Sequence, residues 1–431
     1  MAKTRFGGRS LAGELAEISI CREAKPRLAF VDGMRGLASL YVVLYHAAGD
    51  TPPPAAVLRF LGWFLQFGHY AVGIFIVLSG FCLMLPVARS SDGRIDGGWP
   101  GFFRRRARRL LPAYYTVLLL ALVAVAIVRL WRPQASGEEA DVLRLSPGTV
   151  ISHLLLLHNL REQWAQAFDP PMWSIAAEWQ IYFLFPLLLI PIWRRLGSAQ
   201  MVLCGWFLGM APHILLPASS NFDWTFPWYI GLFALGMAGA AVSFSPRHPE
   251  ARWRVAAPWG TAAGVCALIF IGMAAASPDL PAGRMWLPDI VLGISAAAIL
   301  VRCAIERDKT ALAHRSNAVC PRAIRALESA PIRWIGAFSY SLYLLHAPIL
   351  WLSSGLFGAL HPGENIAFVL RLTVGVPVAV AGSYGFFLLV ERRFLRSRFE
   401  PALPGACPPN HRVEPAQSRP FVLGQGSRRN R

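Results

Sequence analysis

The residues most able to do chemistry stand where apolar sequence would bury them. The first long apolar stretch, RLAFVDGMRGLASLYVVLYHAAGD, contains Asp32, Arg35 and His46. Titratable side chains inside lipid are costly, and their usual justification is function. Arg35 and His46 are 11 residues apart. At about 100° per residue they share one helix face to within roughly 20°, about 16 Å apart along the axis. Asp32 lies one turn from Arg35, where it can orient the guanidinium. It is about 21 Å from His46 along a straight helix, so it is not that histidine's partner. The blander readings are a packing or interfacial role for His46 and a headgroup-level ion pair for Asp32 with Arg35.

A second stretch, PPMWSIAAEWQIYFLFP, spaces Ser174, Glu178 and Tyr182 at i, i+4 and i+8, one polar stripe on an otherwise apolar helix. Glu178 falls in the outer half of its span, at a depth similar to His46. A carboxylate and an imidazole at one depth suit a general acid–base site, since proton transfer needs hydrogen-bond reach. The competing reading is a carboxylate that ties two helices together. In GFFRRRARRLLPAYY, Arg105, Arg106 and Arg109 recur at i, i+1 and i+4. Such clusters often only stop membrane transfer, but guanidinium forks also fit phosphate oxygens, as in a cytosolic coenzyme A thioester. IRWIGAFSYSLYLLHAPILWL carries Tyr343 and His346, the latter near the outer end and able to join the pocket. Interfacial Tyr and His are also common without catalysis. His69 and His158 read as outer-surface residues, and Gly73 with Gly80 as packing positions.

The elements that must hold these groups follow from composition. Of 431 residues 55% are hydrophobic and only 15% charged, against about 25% charged in ordinary soluble domains. Apolar runs of roughly 20 residues, enough to cross a bilayer core, recur along the chain. They predict an all-α, polytopic transmembrane bundle of about ten spans, at 28–50, 66–87, 110–130, 173–192, 199–216, 225–243, 255–276, 286–304, 334–353 and 366–390. Residues 151–160 are apolar but too short to cross, so they predict an interfacial or re-entrant helix. Barrel strands would alternate over about ten residues and do not fit.

The net charge of +18 lies between the apolar runs, which argues for topology control and against nucleic acid. Of 42 Lys and Arg, 33 fall on one side of the map and 7 on the other, placing both termini in the cytoplasm. The seven cysteines are scattered without metal or disulfide spacing, and no metal site is expected. Residues 1–27 read as a basic cytoplasmic tail without a cleavable leader, 28–394 as the membrane domain, and 395–431 as a disordered cytoplasmic tail.

Several of these stretches resemble the motifs of the acyltransferase 3 family. DGMRGLASLYVVLYH resembles its first-helix arginine and histidine, GIFIVLSGF its FFVLSGF element, and FFRRRARRLLPAYY its RxxR motif at Arg106 and Arg109. WSIAAEWQIYFLFP resembles WSLxVEEQFY, with Trp179 in place of the second glutamate, while FSYSLYLLHAPI and VERRF resemble the late signatures. Arg392 stands where the family usually has proline.

The resemblance implies a bacterial inner-membrane enzyme with no permanently bound cofactor. It would move an acyl group, commonly acetyl, from cytosolic acyl-CoA to a hydroxyl of a sugar, envelope polysaccharide or lipid-linked glycan. His46 would be general base or a transient acyl carrier, and Glu178 would orient it or complete proton movement. Arg35, Arg105, Arg106 and Arg109 would hold the CoA moiety, with Asp32, Ser174, Tyr182 and His346 in support. The alternative class is a proton-coupled exporter, against which stands the lack of a paired half-chain repeat.

Overall fold

A computed structural model describes residues 28–49, 53–131, 142–217, 222–246, 250–277, 280–312, 321–358 and 360–395. The tails expected over 1–27 and 395–431 lie outside these residues, apart from Leu395. The described chain is helical throughout. Among the described residues, nine helices are long and apolar enough to cross a membrane, including Gly98–Trp131, Pro170–Leu196, Trp286–Asp308 and Glu364–Phe394. A further 20-residue helix, Ala29–Ala48, is interrupted by Asp32, Arg35 and His46 and is not among the nine. With it, every expected span corresponds to a helix. The elements used below are α1 (Ala29–Ala48), α2 (Ala56–Leu65), α3 (Tyr70–Arg89), α4 (Gly98–Trp131), α5 (Pro147–Leu154), α6 (Trp173–Leu184), α7 (Tyr229–Phe244), α8 (Ser339–Gly358) and α9 (Glu364–Leu370).

The bundle has a centre and a periphery. In the span Phe222–Phe244, 78% of the most apolar window is buried, but in Trp259–Ala276 only 11% is. A helix apolar all round with so little protein over it is one whose surface faces lipid. At the centre α3 and α7 cross at glycines. A Cβ on Gly80 would stand 2.0 Å from the Phe233 carbonyl oxygen, and one on Gly236 would stand 1.9 Å from that of Val77. Two backbones approach this closely only where side chains are absent. Gly73, the other expected packing glycine, faces the Asp289 carboxylate instead, at 3.2 Å from its would-be Cβ.

Several spans differ from the sequence expectation; the second and third lie in helical stretches that begin earlier, at Ala56 and Gly98. The ninth span begins at Ser339, because the chain breaks at Phe338 after a separate helix over Ala330–Ala337. The fourth and tenth spans relax into π turns at Phe185–Leu189, Arg371–Gly375 and Phe387–Glu391. The first of these holds Pro186, which lacks the N–H that a regular turn needs. At the last, Arg392 carries the N–H that the family's proline lacks, and helix continues to Phe394. Residues 151–160 do not cross: α5 ends at Leu154 and a 3-10 turn follows over His158–Leu160.

Candidate active site

The stripe on α6 opens into a cleft, with Ser174, Glu178 and Tyr182 on its wall. Helical spacing puts them on one face. Tyr182 donates to Glu178 Oε1 at 2.7 Å, and its hydroxyl lies 3.3 Å from Ser79 Oγ on α3. Arg35, Arg106 and Arg109 line the same cleft, brought in from α1 and α4. Arg35 lies within electrostatic reach of both Asp32 and Glu178. Three guanidiniums converge on one cavity with a single lining carboxylate, while Asp32 lies within electrostatic reach of Arg35 and Glu391 within reach of Arg35 and Arg109; guanidinium forks of this kind suit phosphate or another anion.

Arg105 belongs elsewhere. It donates to the Asp96 carbonyl at 2.7 Å and is exposed, so it fastens the loop before α4 rather than lining the cleft. Helical spacing does not separate it, since Arg105 lies only about 40° from Arg109 around the axis; the Asp96 carbonyl of the preceding loop takes its side chain instead.

His46 is not among the residues that line the cleft with Glu178, so the two groups do not share that cavity. The partner that the structure gives His46 is His346 on α8. Its Nε2 lies 3.3 Å from His46 Nδ1, and the rings meet edge to face with centroids 4.8 Å apart. His46 Nδ1 also lies 3.0 Å from the Val42 carbonyl oxygen. His346 is fully buried, and its Nδ1 donates to the Tyr343 and Leu342 carbonyls at 2.7 and 3.2 Å. Tyr343 then returns the connection to the cleft. Its hydroxyl is 2.7 Å from Ser174 Oγ, its ring packs edge to face on Phe75, and it lines the cavity. The path from arginine-lined cleft to histidine pair therefore runs through Ser174, Tyr343 and His346.

A profile for an acyltransferase domain matches residues 28–388 of this sequence. The chain belongs to the acyltransferase 3 family. The chain is 23% identical over 360 residues to peptidoglycan O-acetyltransferase OatA of Listeria monocytogenes, covering 79% of this chain and 52% of that protein. It is 25% identical over 352 residues to putative peptidoglycan O-acetyltransferase YrhL of Bacillus subtilis, covering 75% of this chain and 49% of the relative. A shorter match, 31% over 193 residues, links it to acyltransferase MdmB of Streptomyces mycarofaciens, covering 41% of this chain and 46% of the relative. The chain thus spans about half the length of these curated relatives. No solved structure matches it.

Placed on the acyltransferase fold, the motifs fall at two ends of one path. RxxR and the α6 stripe build the cleft, while the first-helix histidine and the FSYSLYLLH histidine form the pair. Three contributors carry no sequence signal of their own role. Tyr343 joins the two regions. Glu391, on the last π turn, accepts from both Ser341 Oγ and Ser341 N, at 2.5 and 3.2 Å, fastening the final span to α8. Arg371, on the π turn after α9, donates to the Ala47 and Ala48 carbonyls at 3.0 and 3.1 Å, capping α1 immediately after His46. A cation there satisfies carbonyls that the helix end leaves open and complements its negative pole. Gly49 follows with φ 71°, a left-handed conformation that ends the helix.

His158, expected at the outer surface, is buried. His153 and His158 are fully buried and stack in parallel, centroids 4.0 Å apart, beside the nearly buried Asp169. Both Asp169 oxygens and both His158 nitrogens lack hydrogen-bond partners among the described residues. Burial pushes His158 down to about 3 and His153 down to about 4, and lifts the Asp169 carboxyl well above the usual range. Leu156 and Phe168, at φ 53° and 67°, fold the segment back over them. His69, also placed at the surface by the sequence, keeps a buried Nε2 without a partner among the described residues.

Proposed function

We propose that this acyltransferase is an integral inner-membrane O-acetyltransferase with both termini in the cytoplasm. It moves an acetyl group from cytosolic acyl-CoA to a hydroxyl of an envelope glycan, of which peptidoglycan is the first candidate. The observation that carries this reading is the connection of a cleft lined by Arg35, Arg106 and Arg109 to the His46–His346 pair through Ser174 and Tyr343. The names of the two longest-matching relatives support acetyl as the group and peptidoglycan as the acceptor.

Each part has a chemical task. The arginines hold the phosphates of the donor, as planar forks suit phosphate oxygens. His46 takes the proton of the acceptor hydroxyl as its oxygen attacks the thioester carbonyl; the C–S bond breaks, and that proton ends on the departing CoA thiol. Glu178, fixed by Tyr182, keeps Arg35 oriented in the cleft and holds charge balance as the thiolate forms. The test is ester formation. Protein reconstituted in liposomes with isotope-labelled acetyl-CoA and soluble glycan fragments should yield acetylated sugar, identified by mass spectrometry and by release of label in mild base. Solute movement without an ester would identify a transporter and overturn the proposal.

A further inference from the structure

The hydrogen bonds around His346 determine more than its position. A backbone carbonyl only accepts, so His346 Nδ1, which faces two of them, carries hydrogen. In the neutral ring Nε2 then bears the lone pair, and it points at His46 Nδ1 from 3.3 Å. That nitrogen of His46 thus lies between two acceptors, the Val42 carbonyl and His346 Nε2. Only an N–H satisfies both, so the lone pair of His46 belongs to Nε2.

We infer that His346 is the positioning residue that fixes His46 in its Nδ1–H tautomer, making His46 Nε2 the base presented to the acceptor hydroxyl. The inference rests on the O-acyltransferase reading for its chemistry, but its geometry is independent of the substrate. A hydrogen-bonded group behind an imidazole holds both its ring plane and its tautomer, the task that a carboxylate performs in hydrolytic triads. Here a second imidazole performs it, suited to a site buried among apolar and aromatic side chains, where a fixed carboxylate charge would be costly. When His46 takes the hydroxyl proton on Nε2, the imidazolium keeps its Nδ1–H toward His346 Nε2, and the proton then passes to the leaving thiolate. His346 neither gains nor loses a proton over the cycle.

Two measurements test this. The first is nitrogen NMR of the full chain in nanodiscs, labelled with 15N-histidine, with the His46 signals assigned by their loss in His46→Gln. The unsubstituted protein should show the Nδ1–H tautomer at His46; an Nε2–H ring there would overturn the inference whether or not the reaction is acetyl transfer. The second is kinetic. His346→Leu should lower kcat about a hundredfold while KM for acetyl-CoA stays within about twofold, the scale of a lost general base. His346→Gln places an amide oxygen where Nε2 accepted, and should restore activity at least about tenfold over the leucine variant. A leucine variant within about threefold of the parent, or a glutamine variant no better than leucine, would contradict the role. Failure of the underlying reading is separately visible, as absence of ester formation by a parent whose His46 tautomer is as described.

Discussion

In the cleft, Glu178 accepts from Tyr182, Ser174 meets Tyr343, and the arginines converge on an open cavity. In the segment before α6, His153, His158 and Asp169 are sealed; His153 Nδ1 donates to the Thr149 carbonyl at 2.8 Å, while the Asp169 carboxylate oxygens meet no hydrogen-bond partner among the described residues. Both clusters place titratable groups out of bulk water, and from composition alone they are equivalent. Access separates them. A group that must meet substrate is held by a hydrogen bond on one side and left reachable on the other, as at His46, which remains exposed. A sealed group without partners only stores a desolvation cost. Under the proposed function the cleft and the pair serve the reaction, and the sealed cluster serves the stability of the loop that covers it.

The largest effect that would sharpen this division is at the basic end. Replacing both Arg106 and Arg109 by alanine should raise KM for acetyl-CoA about a hundredfold to ten-thousandfold, from two charge-assisted contacts of roughly 1.5–3 kcal/mol each, with a smaller change in kcat. Arg105→Ala, measured by the same steady-state assay, should leave KM within about twofold, because an exposed side chain fastening a loop contributes little to binding. Next is Glu178→Gln, which keeps the shape of the Tyr182 contact but removes the charge beside Arg35. It should lower kcat roughly tenfold to a hundredfold in the same assay.

Arg371→Gln should cost less, about fivefold in kcat, because it loosens the end of α1 without touching substrate; Arg371→Lys should recover part of the loss.

The smallest effects fall on the sealed cluster and are read by thermal unfolding. Its histidines have folded pKa values lowered to about 4 and about 3, so below about 6.5 the unfolded chain binds protons that the folded one refuses. Their contribution is complete above about pH 6.5 and is lost as the pH falls toward about 4. Asp169 works in the opposite sense. Its raised pKa makes the folded state costlier at neutral pH, so Asp169→Asn should raise the midpoint by about 1–3 °C at pH 7.5. Acetyl transfer should stay within about twofold of the parent in that variant. A collapse of activity with unchanged stability would break the comparison.

The parts of the site that were legible in sequence are those confined to one helix. Ser174, Glu178 and Tyr182 share a face because i, i+4 spacing fixes it, and they line one wall as expected. Arg106 and Arg109 follow the same rule. Arg105 does not, because its destination depends on how the loop at Asp96 folds back. The His46–His346 pair joins residues 300 positions apart, and no periodicity foretells which of several intramembrane groups a histidine will meet. The face that residues share on one helix was legible, but partnership between helices was not. Sharing one depth suggested Glu178 for His46, whereas helix packing interposed Tyr343. The burial of His158 was hidden for a related reason: a short apolar helix reads as surface until the chain turns at Leu156 and Phe168.

Separation of binding from chemistry is the core of this account, and one experiment addresses it. Purified parent and His46→Ala protein, shown to be folded by their thermal midpoints, are compared for acetyl-CoA binding by calorimetry and for labelled ester formation in proteoliposomes. We predict equal affinity within about twofold, and an ester-formation rate about a hundredfold to ten-thousandfold lower in the variant. Undiminished ester formation by His46→Ala, or loss of donor binding along with activity, would contradict the assignment of the cleft to the donor and the histidine pair to catalysis.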